Sequence, residues 1–526
     1  MFAAPLGCLA RRKPVNGYPR RTCGPFPPDL HEPSIMRPSS NLLAIIIAAC
    51  VLDQAVPVPA ADRLNVLFVA VDDLRNDLGC YGHPLAKTPH LDRFAQRGVR
   101  FDRAYCQQAL CNPSRASVLT GLRPDTLRVW NLPTHFRDVH PDLVTLPQHF
   151  IQHGYHAASI GKIFHNWGHA LQGDPASWSV PQRMHFASHY ADTPLLDGQR
   201  DWPPPLGPRQ RLECLDVPDD AYFDGQVASA AVRTLGELAE SPAPFFLAVG
   251  FWKPHLPFNA PKRWWDLYDP SSIALAEHRE WPEATPREAW HNGRELPERE
   301  PGTPVPDDQA RQLRHGYLAA ISYLDAQIGR VLEALEQLRL ADRTVVVVWS
   351  DHGFHLGERG LWCKTSNFEL DARVPLIFAG PGMVQGGTAQ GLVELIDIYP
   401  TLVELAGLPS PDSPLRLEGR SLVPILRDPS QPGKPAAITQ HPRPPYYGKG
   451  QPELMGISAR TENWRVTQWR DWVTGSVVAR ELYDHRTDPD ELVNLADNPA
   501  YAEILAQQQR LLPPHRPDAD GKRSDN

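Results

Sequence analysis

Four separate apolar runs in this chain end in side chains that carry a charge or an imidazole. LNVLFVAV ends in Asp72-Asp73, and HAASI leads into Gly161-Lys162 and then His165. PFFLAVGF leads into Lys253-Pro254-His255, and TVVVVWS into Asp351-His352-Gly353. One Asp-Asp after a strand is an ordinary solvated turn. Carboxylates, two lysines and three histidines gathered at four strand ends are a constellation. Asp72, Asp73 and Asp351 offer hard oxygen donors, with His352 beside them. Clustered carboxylates must be neutralised, and calcium or magnesium answers that need better than zinc. Zinc spacings such as Cys-x-x-Cys and His-Glu-x-x-His are absent. Lys162, Lys253, Lys364 and Arg115 add positive charge. A metal ion with such cations describes a pocket for a multiply oxygenated anion, phosphate or sulfate.

CNPSRASVLTG, from Cys111 to Gly121, reads as a loop turning into a helix. Free cysteines are commonly buried as small apolar side chains, and Cys111 has that reading open to it. A thiolate nucleophile of the phosphatase kind fails on spacing, because such loops place five residues between Cys and Arg and this one places three. The start of the helix favours an anion next to it in either case.

The elements that must position these residues follow from the pattern of the runs. Short continuous apolar stretches alternating with helical ones indicate a parallel or mixed sheet buried on both faces. In such sheets ligands gather at the carboxyl ends of the strands. From Arg311 to Leu340, apolar residues at Leu313, Tyr317, Ile321, Leu324, Ile328, Val331, Leu335 and Leu338 form one stripe of a core helix. It feeds the strand that ends at Asp351. A fifth run, VPLIFAG, enters a Pro-Gly turn. The segment 259–310 carries Trp264, Trp265, Trp281 and Trp290, whose faces suit sugar stacking or packing on the core. Alternating short runs after a Pro/Gly-rich stretch near 435–450 suggest a small antiparallel sheet.

The expected organisation is an N-terminal extension over 1–61, a catalytic domain over 62–434, a subdomain over 435–512 and a disordered tail over 513–526. Fifty-six prolines among 526 residues, roughly twice ordinary usage, imply long stiff loops between the elements. A net charge of −8 argues against a nucleic-acid partner. No apolar run is long enough to span a membrane. A basic start at Arg37, an apolar run from Leu42 to Leu52 and small residues up to Ala61 have the anatomy of a secretory signal, with translation beginning at Met36. A secreted or periplasmic location follows. Ile47-Ala48-Ala49-Cys50 resembles a lipoprotein box, which would anchor the chain through Cys50. Of the eight cysteines five lie beyond this segment, so at least one of those is unpaired once the segment is removed.

CNPSRASVLTG resembles the Cys-x-Pro-Ser-Arg-x-x-x-Leu-Thr-Gly signature of the type I sulfatases, whose cysteine is oxidised to Cα-formylglycine. GYHAASIGKIFH resembles that family's second signature. VDDLRNDLGCYG, FFLAVGFWKPHLPF, SDHGFHLGERGLWCKTSNFE and RVPLIFAGPG follow in the family's order, so the likeness runs from about Leu64 to Asn498. Within the family, DDLR, LGCYG, CQQALCNPSR, GLRPDT, GKIFH and SYLDAQIGR are similar to the iduronate-2-sulfatase subgroup.

The resemblance implies an alkaline-phosphatase-like α/β fold, with a large mixed sheet flanked by helices and a smaller C-terminal α+β subdomain on an antiparallel sheet. It implies calcium held by Asp72, Asp73, Asp351, His352 and the formylglycine from Cys111. Arg115 and Lys162 would steady the formylglycine and the oxygens on the metal side, and Lys364 and Lys253 would face sulfate. His165 would contact the formylglycine and serve as base, and His255 would protonate the leaving oxygen. The implied substrate is a sulfated saccharide, a uronate 2-O-sulfate at a chain end, and the implied partner is a formylglycine-generating maturation enzyme. Phe354 and His355 stand where the subgroup carries a tryptophan and a small residue beside the sugar pocket, so these two are expected at the substrate. His441 and Arg443 are placed to reach a sugar carboxylate. A phosphodiesterase or phosphonate monoester hydrolase of the same superfamily, and an inactive sugar-binding homologue, are the alternatives.

Overall fold

Residues Asn65–Asp72 (β1) offer no polar face to water, so the strand requires cover on both sides. In the computed structural model it lies deep inside a seven-stranded sheet. The described residues are 63–166, 169–185, 211–291, 295–296, 303–445 and 451–515. The other strands of this sheet are Val99–Phe101 (β2), His156–Gly161 (β3), Phe245–Pro254 (β4), Thr344–Ser350 (β5), Leu376–Ala379 (β6) and Gly387–Ala389 (β7). Their spatial order is β7-β2-β6-β5-β1-β4-β3. The pairs β5–β1, β1–β4 and β4–β3 are parallel, and β6 alone runs against its neighbours β5 and β2. The sheet is therefore mixed, as expected.

Side chains alternate across β1. Leu67, Val69 and Val71 join one core cluster, and Val66, Phe68 and Ala70 join the other. The first core is roofed by helices Phe223–Ala239 (α2) and Asp307–Gln337 (α3). The second is closed by Cys111–Thr120 (α1) together with Leu146–Gln152 and Ile398–Leu405. Each fully buried side chain of this kind stabilises by about 1.5–3 kcal/mol.

The long helix begins four residues before the apolar stripe would place it, directly after Pro306, and ends at Gln337. The stripe from Leu313 to Leu335 is buried, whereas Leu338 is only partly so. The helix is also buried on a second side. Tyr222, Ala260 and Trp265 cover Ala319 and Tyr323, and Tyr268 and Ile273 cover Leu318. Trp265 thus packs on the core, with its Nε1 donating to the Ala260 carbonyl at 3.1 Å. Trp281 stands edge-on to Phe368, 6.2 Å between centroids. These tryptophans are packing residues rather than a sugar platform.

A separate antiparallel sheet follows, in the order Ala437–Arg443 (β8), Leu454–Arg460 (β9), Trp464–Asp471 (β10) and Val477–Asp484 (β11). It is tied to the rest of the structure by buried ion pairs. Glu369 accepts from Arg460 at 3.2 Å and from Arg465 at 2.5 Å, and Arg465 also pairs with Glu491. Burial alone would raise the Glu491 carboxyl, but Arg465 and His485 hold it down at about 2. Its stabilising contribution is therefore complete above about pH 4.5, the ordinary glutamate range, and is lost as pH falls towards 2. A Glu491→Gln protein is expected to lose about 1.5–3 kcal/mol at neutral pH, the worth of hydrogen bonds to a charged group. Denaturant titrations from pH 7 to 2.5 should show a flatter acid decline for that variant than for the parent.

All five cysteines among the described residues are free thiols. No helix of the described residues is long and apolar enough to cross a membrane. The expectations for Met36, Cys50 and the leader fall outside the described residues. At the other end, the Pro513 carbonyl still accepts from Arg470 at 2.8 Å.

Candidate active site

Because β3, β4, β1 and β5 run parallel, their carboxyl ends open on one edge. Asp72, Lys162, Lys253 and Asp351 meet there. Gly250 makes the closest part of this approach possible, since an added Cβ would lie 2.0 Å from the Lys162 carbonyl oxygen.

Helix α1 carries the Cys111 motif, and all ten of its residues are buried. Gly121 ends the helix at φ 70°, and a side chain there would meet Leu417. Ser114 Oγ donates to the Asp351 carbonyl at 2.5 Å. Arg115 is the hub of the site. Its Nε donates to Asp351 Oδ2 at 2.7 Å, and its terminal nitrogens donate to the carbonyls of Lys162 (2.5 Å), Ile163 (3.2 Å) and Val71 (3.1 Å). Asp72 Oδ1 lies 3.5 Å away. One guanidinium thus joins the ends of three strands from a position with no exposure.

The carboxylates divide by environment. Burial pushes Asp72 up, but the charges of Lys162, His255 and Arg115 hold it well below the ordinary range, with the Lys162 ammonium in direct contact. Asp73 is driven well above that range by burial and by Asp72, Glu295 and Asp351, against the pull of Lys364. Lys364 Nζ donates to both Asp73 oxygens at 3.1 and 2.9 Å and pairs with Glu295 at 2.5 Å. Non-glycine residues in the left-handed region mark the same place: Asp73 (φ 61°), Cys363 (φ 71°) and Thr365 (φ 98°). Such conformations cost about 1–3 kcal/mol each and persist where the surroundings enforce them.

His352 Nδ1 lies 2.9 Å from the Gly353 carbonyl. Its Nε2 stands 3.3 Å from Cys111 Sγ and 3.4 Å from Asp73. Burial lowers its pKa. Ligand atoms of Asp72, Cys111, Asp351 and His352 all lie within 4.8 Å of one another, and those of Asp72, Asp73, Cys111 and His255 do the same. His255 Nε2 stands 3.9 Å from Asp73 and 3.8 Å from Glu295. The pKa of His165 is pushed well below the imidazole range by burial and Lys162, against Asp72.

Three residues expected at the substrate have partners within the protein. Lys253 donates its ammonium to the carbonyls of His255 and Pro257, both at 2.7 Å, so it braces the loop that carries His255. Phe354 is a core residue stacked on Tyr317, 5.7 Å between centroids. His355 is fully buried and pairs with Asp371 through Nδ1 at 2.7 Å. Next to these two residues Gly353 lies so close to the Leu370 backbone that a Cβ would stand 2.0 Å from its carbonyl oxygen. The backbone N–H groups of Gly353 and Phe354 donate to the carbonyls of Asp371 (2.8 Å) and Leu370 (2.9 Å). His441 is buried near Arg443, whose guanidinium binds carbonyl oxygens.

Two participants have no signal in the local sequence. Asp224, in the first turn of α2, accepts from the backbone N–H groups of Trp252 and Lys253 and so fixes the end of β4. Glu295 lies in a Pro/Glu-rich stretch without periodicity. Tyr317 was legible only as part of the helix stripe, yet its hydroxyl donates to the Asp73 carbonyl at 2.7 Å.

Residues 64–408 match the sulfatase family, and residues 357–516 match the C-terminal region of N-sulphoglucosamine sulphohydrolase. Human iduronate 2-sulfatase is 38% identical, with the alignment covering 86% of this chain and 94% of that protein. The fold is similar to that of a protein solved with its substrate D-glucosamine-2-N,6-O-disulfate (TM-score 0.68, 23% identity, 85% of this chain and 96% of that one). It is equally similar to the phosphonate monoester hydrolase of Agrobacterium radiobacter (TM-score 0.68, 22% identity, 85% and 94%). These two likenesses bear on architecture, which is alkaline-phosphatase-like. With the family matched across the motif helix, the strand ends and the carboxylate cluster, the chain belongs to the sulfatase family and is a sulfatase.

Proposed function

We propose that this sulfatase removes a 2-O-sulfate from a uronate at the end of a sulfated saccharide, using calcium and a formylglycine made from Cys111. The observation that carries the chemistry is the convergence of three buried carboxylates, His352 Nε2 and Cys111 Sγ beside Lys364. The likeness to iduronate 2-sulfatase supports the sugar. Three hard carboxylates in so small a space fit calcium by charge and by donor type. Asp72, Asp73, Asp351 and His352 would hold it. When bound, calcium supplies positive charge to the sulfate oxygens, and the formylglycine supplies the attacking oxygen.

The remaining steps belong to the chain's own groups. Arg115 spends its donors on the strand ends and on Asp351, so its part is to hold the carboxylate cluster together. Lys364, pinned by Asp73 and Glu295, presents a fixed ammonium to the anion. His255 Nε2 stands at the edge of the cluster, 3.9 Å from Asp73 and 3.8 Å from Glu295, and is the group placed to protonate the leaving sugar oxygen. His165 is neutral in its buried position and suits proton acceptance. His355, oriented by Asp371, keeps its Nε2 without a protein partner and so has a nitrogen left to bond the sugar. All of α1 is buried, so a maturation enzyme must read Cys111 before the fold closes.

The test pairs mass spectrometry of the Cys111 peptide with release assays on sulfated uronates and phosphodiesters, before and after chelation. The expected result is an oxidised residue at 111, sulfate release at least about a hundredfold faster than phosphodiester cleavage, and a melting temperature lowered by chelator and restored by calcium. An unmodified cysteine in fully active protein would sink the formylglycine. Preferred phosphodiester cleavage would sink the substrate class.

A further inference from the structure

Arg443 is a buried cation, only 8% exposed, that no carboxylate among the described residues approaches within ion-pair distance. Its nitrogens instead donate to four carbonyls: Glu288 (2.7 Å), Ala289 (2.9 Å), Thr365 (3.1 Å) and Pro442 (3.0 Å). The guanidinium lies over the Trp469 ring, 4.6 Å from its centroid, and burial brings its pKa down to about 9. Such a group costs stability that an apolar residue of the same size would not. What it gains is geometry, because one planar fork fixes three segments at once.

One segment is strand β8 of the C-terminal sheet. The second, 288–289, leads to Glu295, which holds Lys364. The third is Thr365, the residue after Lys364. Thr365 is β-branched and sits at φ 98°, a conformation its side chain resists. On the other side of Lys364, Cys363 is left-handed as well.

We infer that Arg443 is a positioning residue for Lys364, clamping the strained Thr365 backbone from the C-terminal sheet so that the ammonium is delivered to the anion beside Asp73. This rests on the reading of Lys364 as an anion-binding group. Arg443 touches no reacting atom in this scheme; it acts through Thr365 and the 288–289 segment. Lysine at 443 keeps the charge and the stem but not the planar fork, so the clamp loosens while the charge remains. Glycine at 365 adopts positive φ without the steric cost and needs less clamping.

The experiment is a double-substitution cycle on the full chain, read by binding of inorganic sulfate and by kcat/KM on a sulfate ester. Arg443→Lys is expected to weaken sulfate binding and lower kcat/KM by about tenfold each, with the melting temperature within a few degrees of the parent. In a Thr365→Gly background the same substitution is expected to cost less than about threefold. Where Arg443→Lys does not fold, Arg443→Gln reads the same coupling. Equal losses in both backgrounds, or no loss in either, overturn the inference. Sulfate binding needs no turnover, so a parent protein that hydrolyses no sulfate ester would refute the proposed reaction and leave this coupling measurable.

Discussion

A Cys111→Ser protein is expected to fold, to bind sulfate as the parent does, and to release no more than one alcohol per chain. Serine fits because Cys111 is 2% exposed and its Sγ has one near side-chain partner, His352 Nε2 at 3.3 Å. The smaller oxygen leaves that contact possible. A serine hydroxyl can attack sulfur where Arg115, Lys162 and Lys364 have organised the site. Once sulfated, however, it has no second hydroxyl on the same carbon with which to expel the sulfate. Release would then require attack by water on a sulfate ester enclosed by buried side chains. Multiple turnover should fall by at least about 10⁴-fold, roughly 5 kcal/mol in barrier at 1.36 kcal/mol per decade. A rapid-mixing assay reads the burst, and intact-protein mass reads one added sulfuryl group. Sustained turnover above about one hundredth of the parent rate would contradict the role given to residue 111.

The strand ends were legible because a parallel sheet turns sequence order into spatial convergence. Asp72, Lys162 and Asp351 each follow a largely apolar run, and β3, β4, β1 and β5 carry those runs to one edge. Arg115 was legible as a charge in a motif, but not as the hub joining Val71, Lys162, Ile163 and Asp351, because backbone carbonyls leave no trace in composition. Asp224 and Glu295 act across more than 25 and 60 residues of chain on Lys253 and Lys364, respectively, and neither has a local pattern. Phe354 and His355 were placed by their likeness to the subgroup's positions, which carries no information on the packing of Phe354 against Tyr317 or the pairing of His355 with Asp371. The partners of Lys253 were not legible either, since an ammonium is drawn to nearby oxygens and here carbonyls of its own loop are among them.

Arg115→Met is expected to damage stability and activity together, and the two losses should separate when calcium is added. Methionine fills a similar volume, so the change removes charge and donors more than packing. Asp351 loses a 2.7 Å partner and Asp72 one of its neutralising cations. The carbonyls of Lys162, Ile163 and Val71 lose their donors in a region closed to water. Breaking a buried pair from one side costs about 3–5 kcal/mol, and each stranded carbonyl adds to that, though not additively. The unfolding free energy without divalent cation should therefore fall by at least about 3 kcal/mol. Calcium, proposed above to bind the same carboxylates, should restore much of that loss by mass action. Activity should stay below about one thousandth of the parent, because the strand ends that aim Asp351 and Lys162 are no longer joined. Arg115→Lys keeps one charge but cannot span Asp351 and the carbonyls of β1 and β3, so it should fall between the two in stability and close to Arg115→Met in rate. Denaturant melts with and without calcium, set against kcat/KM for the same samples, decide the matter. An Arg115→Met protein as stable as the parent in chelator would show that the strand ends hold their carboxylates together without it.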